Sequence, residues 1–312
     1  MSSSEYNISD CPQMGENLGE NFRTRSAFVS LIGNSNVGKS TLLNALIGSK
    51  ISAVTHKVQT TRTRIRGIYT KYDTQLVFVD TPGIFIPRCQ LERVIVKNAW
   101  RAFAGTDVFC LIIDPRRPVS DSTKDILRKA DGKLVLVINK IDLVEKPILL
   151  EVAQELNSLS YFEKTFMISA LKGNGVDDLM NYLLISAQPG PWYFDKEDET
   201  DMPLGFNLSE ILREKLFIRL HQELPYSLTV ETENIEILDK SVKIRQVVHV
   251  MSESHKMIVI GSCGKTIGTI RKSAEKEMED LFPGRKVYLS IFVRVSPNWG
   301  EKSDILNTIN YI

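Results

Sequence analysis

Gly33-Asn34-Ser35-Asn36-Val37-Gly38-Lys39-Ser40 has the residue types and spacing of a phosphate cradle. Gly33 and Gly38 let the backbone curl and aim its N–H groups at an anion. A helix opening at Lys39 adds the positive end of its dipole. In this pattern Lys39 reaches the β- and γ-phosphates of a nucleotide, Ser40 offers its hydroxyl to Mg²⁺, and Thr41 follows in the first helical turn. Asp80-Thr81-Pro82-Gly83 closes a short apolar run. A carboxylate at that place can hold Mg²⁺ through a water, and the Gly83 N–H can sense the terminal phosphate. Between the two motifs lies Gln59-Thr60-Thr61-Arg62, a polar, basic stretch expected to form a first switch loop. Thr61 is the favoured second hydroxyl ligand, with Thr60 as the alternative.

Asn139-Lys140-Ile141-Asp142 follows another apolar run. The Asp142 carboxylate can accept hydrogen bonds from guanine N1–H and the 2-amino group. Adenine offers neither donor and would leave the carboxylate unpaired, so GTP is expected over ATP. Asn139 can tie base and loop together, and the Lys140 stem can cover the ring. In Ser169-Ala170-Leu171 the Ala170 N–H can donate to guanine O6. The neighbour of the Asp80–Gly83 motif is Ile84, where Ras-like switches carry a water-orienting Gln. An apolar side chain cannot orient water, so slow intrinsic hydrolysis is expected, resting on Lys39, Thr61 and Gly83.

These motifs need strand ends to hold them. Ala27–Ile32, Leu76–Asp80, Val108–Asp114, Leu134–Asn139 and Thr165–Ser169 read as buried strands, with helices at Lys39–Ile47, Asp121–Lys129 and Val176–Ser186. That alternation predicts a doubly wound α/β domain over 25–187. Residues 188–206, with Pro189, Pro191, Pro203 and an acidic run, are expected to be a linker. The remainder, 207–312, reads as a smaller α+β domain. It has a helix Ser209–Glu223 capped by Ser209, strands Ser227–Leu238 and Ser241–Ser252, a helix–GxxG–helix around Gly261–Gly264, and a strand Lys286–Val295.

Composition excludes several classes. The chain has 312 residues and a net charge of +1, so there is no wholesale basic surface and any nucleic-acid contact must be a local patch. Apolar runs fall short of a membrane span. Cys11, Cys89, Cys110 and Cys263 are scattered, with neither a zinc pattern nor a disulfide framework, which fits a reducing cytosol. Residues 1–24 are polar and are expected to be a disordered extension.

GNSNVGKSTLLNALIG, VQTTRTRIRGI, DTPGI, NKID and SALKGNGVDDL together resemble the Era-type GTPases. REKLFIRLHQELPYSLTVETE and MIVIGSCGKTIGTIRKSAEKEMEDLF resemble that family's C-terminal RNA-binding KH domain of type II. The resemblance spans roughly residues 26–311. It implies a P-loop GTPase that binds the 3′ end of small-subunit ribosomal RNA and assists assembly of the 30S particle. It further implies a cytoplasmic monomer, with peripheral inner-membrane association in some members, and K⁺-assisted hydrolysis with Asn36 at the position of the cation ligand. The RNA contacts it implies are Gly261, Ser262, Cys263, Gly264, Lys265, Arg271 and Lys272. Glycines at both ends of that loop let a nucleic-acid backbone approach closely. Two positions depart from the family pattern. Ser262-Cys263 stands where a Lys is usual, which weakens phosphate attraction unless Lys265 substitutes, and Ser35 stands where the P-loop usually has Pro. The competing readings are a nucleotide-dependent switch acting on a protein or membrane partner, with the KH-like domain as adaptor, and a GTPase of tRNA modification. The second lacks the extra cysteines or domains it would need.

Overall fold

The structure, a computed structural model, describes residues 23–55, 65–81, 105–130, 132–220 and 224–297. The first domain is built on β1 (Arg25–Ile32), β2 (Ile65–Lys71), β3 (Thr74–Asp80), β4 (Val108–Ile113), β5 (Lys133–Ile138) and β6 (Lys164–Met167). Their order across the sheet is β2-β3-β1-β4-β5-β6. All neighbours are parallel except β2, which runs antiparallel to β3. The continuous apolar runs divide by alternation between two cores. Val108, Cys110 and Ile112 of β4, with Val135 and Val137 of β5, face one side. Phe109, Leu111 and Ile113, with Leu134, Leu136 and Ile138, face the other. A strand buried on both faces has no polar register to display, which is why its sequence shows no period. Helices α1 (Lys39–Ile47), α2 (Asp121–Lys129), α3 (Lys146–Leu159) and α4 (Val176–Ser186) complete the domain.

Three expectations are corrected. The sheet has a strand that the apolar runs do not indicate, and it is mixed because that strand, β2, runs antiparallel to β3. Its sequence IRGIYTK carries charges at both ends, as suits an edge strand. Residues 188–206 are no free linker. Gln188–Pro189 (β7) pairs with the start of β1, and buried Gln75 grips the chain beyond it, accepting from Tyr193 N and Phe194 N at 2.8 and 3.1 Å and donating to Phe194 O at 2.9 Å. Ile68 N donates to Glu199 O at 2.8 Å, and Arg66 pairs with Asp201. Prolines and like charges therefore mark an edge covering rather than a spacer. At the other boundary Thr24, assigned to the tail, exchanges hydrogen bonds with Gly190. Residues 1–22 lie outside the described residues.

The second domain runs α5 (Leu204–Arg219), β8 (Leu228–Ile237), β9 (Ser241–Val250), α6 (Glu253–Ile260), α7 (Lys265–Met278) and β10 (Lys286–Val295). The strands order β10-β9-β8, with β9 antiparallel to β8 and parallel to β10. The parallel pair requires a crossover, which α6 and α7 supply. Leu212, Leu216 and Phe217 of α5 pack with Val242, Ile244, Ile270 and Ala274 in one core. The third correction concerns Ser209. Helix α5 begins five residues earlier than expected, after Pro203, where a missing N–H costs nothing. Ser209 is buried inside it and donates to Gly205 O at 3.0 Å. Among the described residues no helix is long and apolar enough to cross a membrane.

Candidate nucleotide and nucleic-acid sites

The phosphate loop sits between β1 and α1 at the carboxyl end of the sheet. Two of its glycines are required by close approach. A Cβ on Gly33 would lie 2.4 Å from Ile112 O, and one on Gly38 would lie 2.3 Å from Asn139 Nδ2. Both also have positive φ, at 147° and 103°. No side chain caps α1, so the N–H groups of its first turn point into the loop. Lys39 is buried and folds back on the loop, donating to Gly33 O at 3.2 Å and Asn34 O at 2.9 Å. Ser40 Oγ donates to Asp80 Oδ2 at 2.6 Å. A hydroxyl and a buried carboxylate in contact at a helix N-terminus are hard oxygen donors of the kind Mg²⁺ takes, so the set fits that ion. Thr81 is buried, and its hydroxyl donates to Leu31 O at 3.0 Å. Val37 packs into the core. Thr60, Thr61, Pro82, Gly83 and Ile84 lie outside the described residues.

The base motif is stapled to the phosphate loop. Asn139 Nδ2 donates to Val37 O at 2.9 Å, while its Oδ1 accepts from Ala170 N at 3.0 Å. The Ala170 N–H expected for guanine O6 is thus engaged by Asn139 here. Lys140 adopts a positive φ of 63° and sends its ammonium to Asn36 O at 2.5 Å and Asp114 Oδ2 at 3.0 Å. Asp142 has Lys172 Nζ at 3.6 Å. A hydrogen bond from Ser169 leads in holding its carboxyl below the ordinary range, outweighing burial and aided by Lys172. Ile141 packs on the core below, and Leu171 is exposed.

Sequence reasoning missed the loop after β4. Arg117 Nη1 donates to Ser35 O at 3.0 Å, and Asn34 is held by Ser120 at 2.9 Å and Ser122 at 2.8 Å. Where the family pattern has Pro, Ser35 is therefore fixed from outside. Asp114 organises this loop. Burial works to raise its carboxyl, but hydrogen bonds from Arg116 and Lys140 outweigh that and hold it well below the usual carboxylate range. The only signal available was a charged cluster, Asp114-Pro115-Arg116-Arg117, at a strand's carboxyl end.

In the second domain the GxxG loop links α6 to α7. Its two glycines do different work. A Cβ on Gly261 would lie 2.1 Å from Thr266 Oγ1, whereas one on Gly264 meets nothing within 4 Å. Gly261 is needed for packing, and Gly264 leaves a patch of backbone open to a partner. Ser262, Cys263 and Lys265 are exposed, as are Arg271 and Lys272 along α7. Beside the loop, Met257 and Ile258 of α6 are 67% and 55% exposed, an apolar strip that can take unstacked bases.

Comparison with known proteins gives the chain its family. A family model described as 50S ribosome-binding GTPase matches residues 28–140, and a KH-domain model matches 223–300. The GTPase Era of Dinoroseobacter shibae is 49% identical over 90% of this chain and 93% of its own length. The GTPase Era of Brucella suis is 47% identical over 89% of this chain and 91% of its own. The chain belongs to the Era family of GTPases. Two solved Era structures share the fold across both domains. One is a point variant of Aquifex aeolicus Era bound to GDP·AlF4⁻, at TM-score 0.86 and 32% identity, covering 92% of this chain and 99% of that one. The other is Era with MgGDPNP and nucleotides 1506–1542 of 16S ribosomal RNA, at TM-score 0.85 and 31% identity, with the same coverage. As a member of the Era family, the protein is a GTP-hydrolysing enzyme.

Lys39 gives this enzyme a pH signature. Burial lowers its pKa from 10.5 to about 8, with the Asp80 charge partly opposing. Phosphates bound beside Lys39 would favour the charged form, so above that pKa binding would have to take up a proton. Affinity for GTP should be flat from about pH 6.5 to 7.5 and fall above about pH 8, approaching about tenfold per unit. Fluorescent-nucleotide titrations at fixed ionic strength check this. A Lys39→Gln variant should bind weakly with no such slope, and equal slopes in both proteins would place the titration elsewhere.

Proposed function

We propose that this protein uses its nucleotide state to govern binding of the 3′ end of small-subunit ribosomal RNA, and so assists assembly of the 30S subunit. The observation that carries the reading is the pairing, in one chain, of a phosphate loop stapled by Asn139 to a base motif with a GxxG loop whose Gly264 backbone is open and flanked by Lys265, Arg271 and Lys272. The related Era seen with a 16S fragment supports the choice of RNA. Mg²⁺, present with GDPNP in that relative, would be held by Ser40 and Asp80, with a threonine from Thr60 or Thr61. It would supply charge neutralisation at the phosphates. Lys39 would hold the β- and γ-phosphates, and Gly83 the terminal one. The protein acts as a monomer in the cytoplasm, with peripheral contact to the inner membrane.

Crosslinking in cells followed by sequencing of the bound RNA tests the assignment. Reads concentrated at the 3′ end of the small-subunit RNA are expected. Recovery of no RNA above background would instead favour an adaptor domain acting on a protein or membrane partner, the reading that Ser262-Cys263 in the loop invites.

Without a water-orienting Gln beside Gly83, hydrolysis needs other help, such as positive charge at the phosphates, and Asn36 stands at the loop position expected to hold K⁺. Hydrolysis should be several-fold faster in KCl than in NaCl at matched ionic strength, and the difference should vanish in Asn36→Ala. An Ile84→Ala change should be mild, because no water-orienting group is lost. Equal single-turnover rates in the two salts would remove the cation from the scheme.

A further inference from the structure

A short strap, residues 50–54, leaves α1 and passes beneath Asp80. Ser52 on this strap is buried, and its hydroxyl donates to Asp80 Oδ2 at 3.2 Å. That is the oxygen that also accepts from Ser40. The strap is held in place by one side chain on its inner side. Asn44 Oδ1 accepts from Ile51 N at 3.1 Å and Ser52 N at 2.9 Å, and Asn44 Nδ2 donates to Ser52 O at 2.8 Å. On its outer side the strap is held by the second domain. Val54 N donates at 3.0 Å to Glu214 Oε2 of α5, and Lys50 Nζ lies 2.7 Å from the other oxygen of the same carboxylate. Lys50 also pairs at 2.6 Å with Glu277 of α7, and Lys215 pairs with both carboxylates. The Glu214 side chain is only 5% exposed. Two carboxylates, two ammonium groups and a strap N–H thus form a neutral, mostly buried cluster between the domains. None of these residues belongs to a nucleotide motif.

We propose that Ser52 is a positioning residue for the magnesium-binding carboxylate, and that the RNA-binding domain holds Ser52 in place through Glu214. The proposal rests on the reading of Ser40 and Asp80 as magnesium ligands. The terminal torsion of an Asp side chain is broad, so the bond itself does not fix which way the carboxylate plane turns. Its hydrogen bonds do. Two hydroxyls converging on Oδ2 hold that oxygen toward the P-loop, and Mg²⁺ tolerates little departure from octahedral geometry. Outer partners of this kind commonly contribute roughly ten- to a hundredfold in metal affinity. Glu214 acts one step further out, by fixing the strap that carries Ser52. The second domain is then part of the metal site's support, and separating α5 from the strap weakens magnesium.

The test measures release of a fluorescent GDP from the full-length protein as free Mg²⁺ is varied, with a parallel series in EDTA. Wild type should release nucleotide more slowly as Mg²⁺ rises. Ser52→Ala should need roughly ten- to a hundredfold more Mg²⁺ for half of that effect. Glu214→Gln should shift the midpoint in the same direction by a smaller factor. Release in EDTA should match wild type in both variants, which a merely structural loss would not produce. Ser52→Cys keeps a side chain of similar shape and puts a weak S–H donor in place of the hydroxyl, so it reads the same bond should Ser52→Ala fail to fold. An unshifted midpoint in Ser52→Ala and Ser52→Cys overturns the positioning role. A shift in Ser52→Ala with none in Glu214→Gln overturns the part played by the second domain. A wild-type protein indifferent to Mg²⁺ removes the underlying magnesium reading instead.

Discussion

Replacing Asp142 by Asn should lower affinity for GTP about a hundred- to a thousandfold and give the protein a preference for xanthosine triphosphate. Both effects come from one carboxylate. Hydrogen bonds to a charged group contribute about 1.5–3 kcal/mol each, and guanine offers Asp142 two donors, N1–H and the 2-amino group. An amide keeps one acceptor but turns an N–H donor toward the base, where guanine presents another donor. Xanthine carries an oxygen at that position and restores a complementary pair. The site is suited to this exchange. Asp142 is a rim residue whose side chain is 12% exposed, and the hydrogen bond from Ser169 keeps it ionised. An Asn can still accept from Ser169, so the loop should retain its shape. Competition binding with GTP, XTP and ATP on wild type and variant measures the exchange. Wild-type protein that bound ATP as tightly as GTP would falsify the base assignment, and a variant that kept its GTP affinity would take Asp142 out of the contact.

The contrast between Asp142 and Glu214 shows what the sequence could and could not convey. Phosphate and base motifs were legible because their chemistry is local. A loop of eight residues carries its own glycines, lysine and hydroxyl, and strand ends place the loops. The five buried strands of the first domain followed from apolar runs alone, the edge strand β2 did not, and β10 was read to the residue. What stayed hidden depends on partners distant along the chain. Val54 and Glu214 are 160 residues apart, and Gln75 reads as an ordinary polar strand residue until it grips Phe194 119 residues later. Ser209 misled for a related reason. A serine ahead of an apolar pattern is a good cap signal, yet its hydroxyl can bond the carbonyl four residues back within a helix, which it does. The apolar strip at Met257 and Ile258 was equally silent, because α6 alternates too briefly to reveal which side is left bare.

Gly264→Asp should abolish specific binding of the ribosomal 3′ tail while leaving the fold and nucleotide binding intact. The position is unusually clean for such a test. Gly264 has a positive φ of 72°, which Asp tolerates better than most residues, and a Cβ there meets no atom within 4 Å. It is also the N-cap of α7, where the helix dipole favours a negative charge, which offsets part of the backbone strain. Gly261 offers no such control, since any Cβ there strikes Thr266. What the Asp does add is bulk and negative charge on the open patch of backbone that a phosphate should pass. The change lies at the start of α7, about 20 Å along the helix from the Glu277 contacts with Lys50, so the cluster behind the nucleotide site should not feel it. Lys265→Ala is the graded companion. It should weaken binding moderately and lower the slope of log affinity against log salt by about 0.7, one phosphate contact on a single strand. Filter binding of both variants and wild type, on the 3′ tail and on a scrambled RNA at two salt concentrations, measures all of this. Equal affinity of wild type and Gly264→Asp for the ribosomal sequence would sink the loop's role in gripping RNA and leave the guanine-nucleotide site untouched.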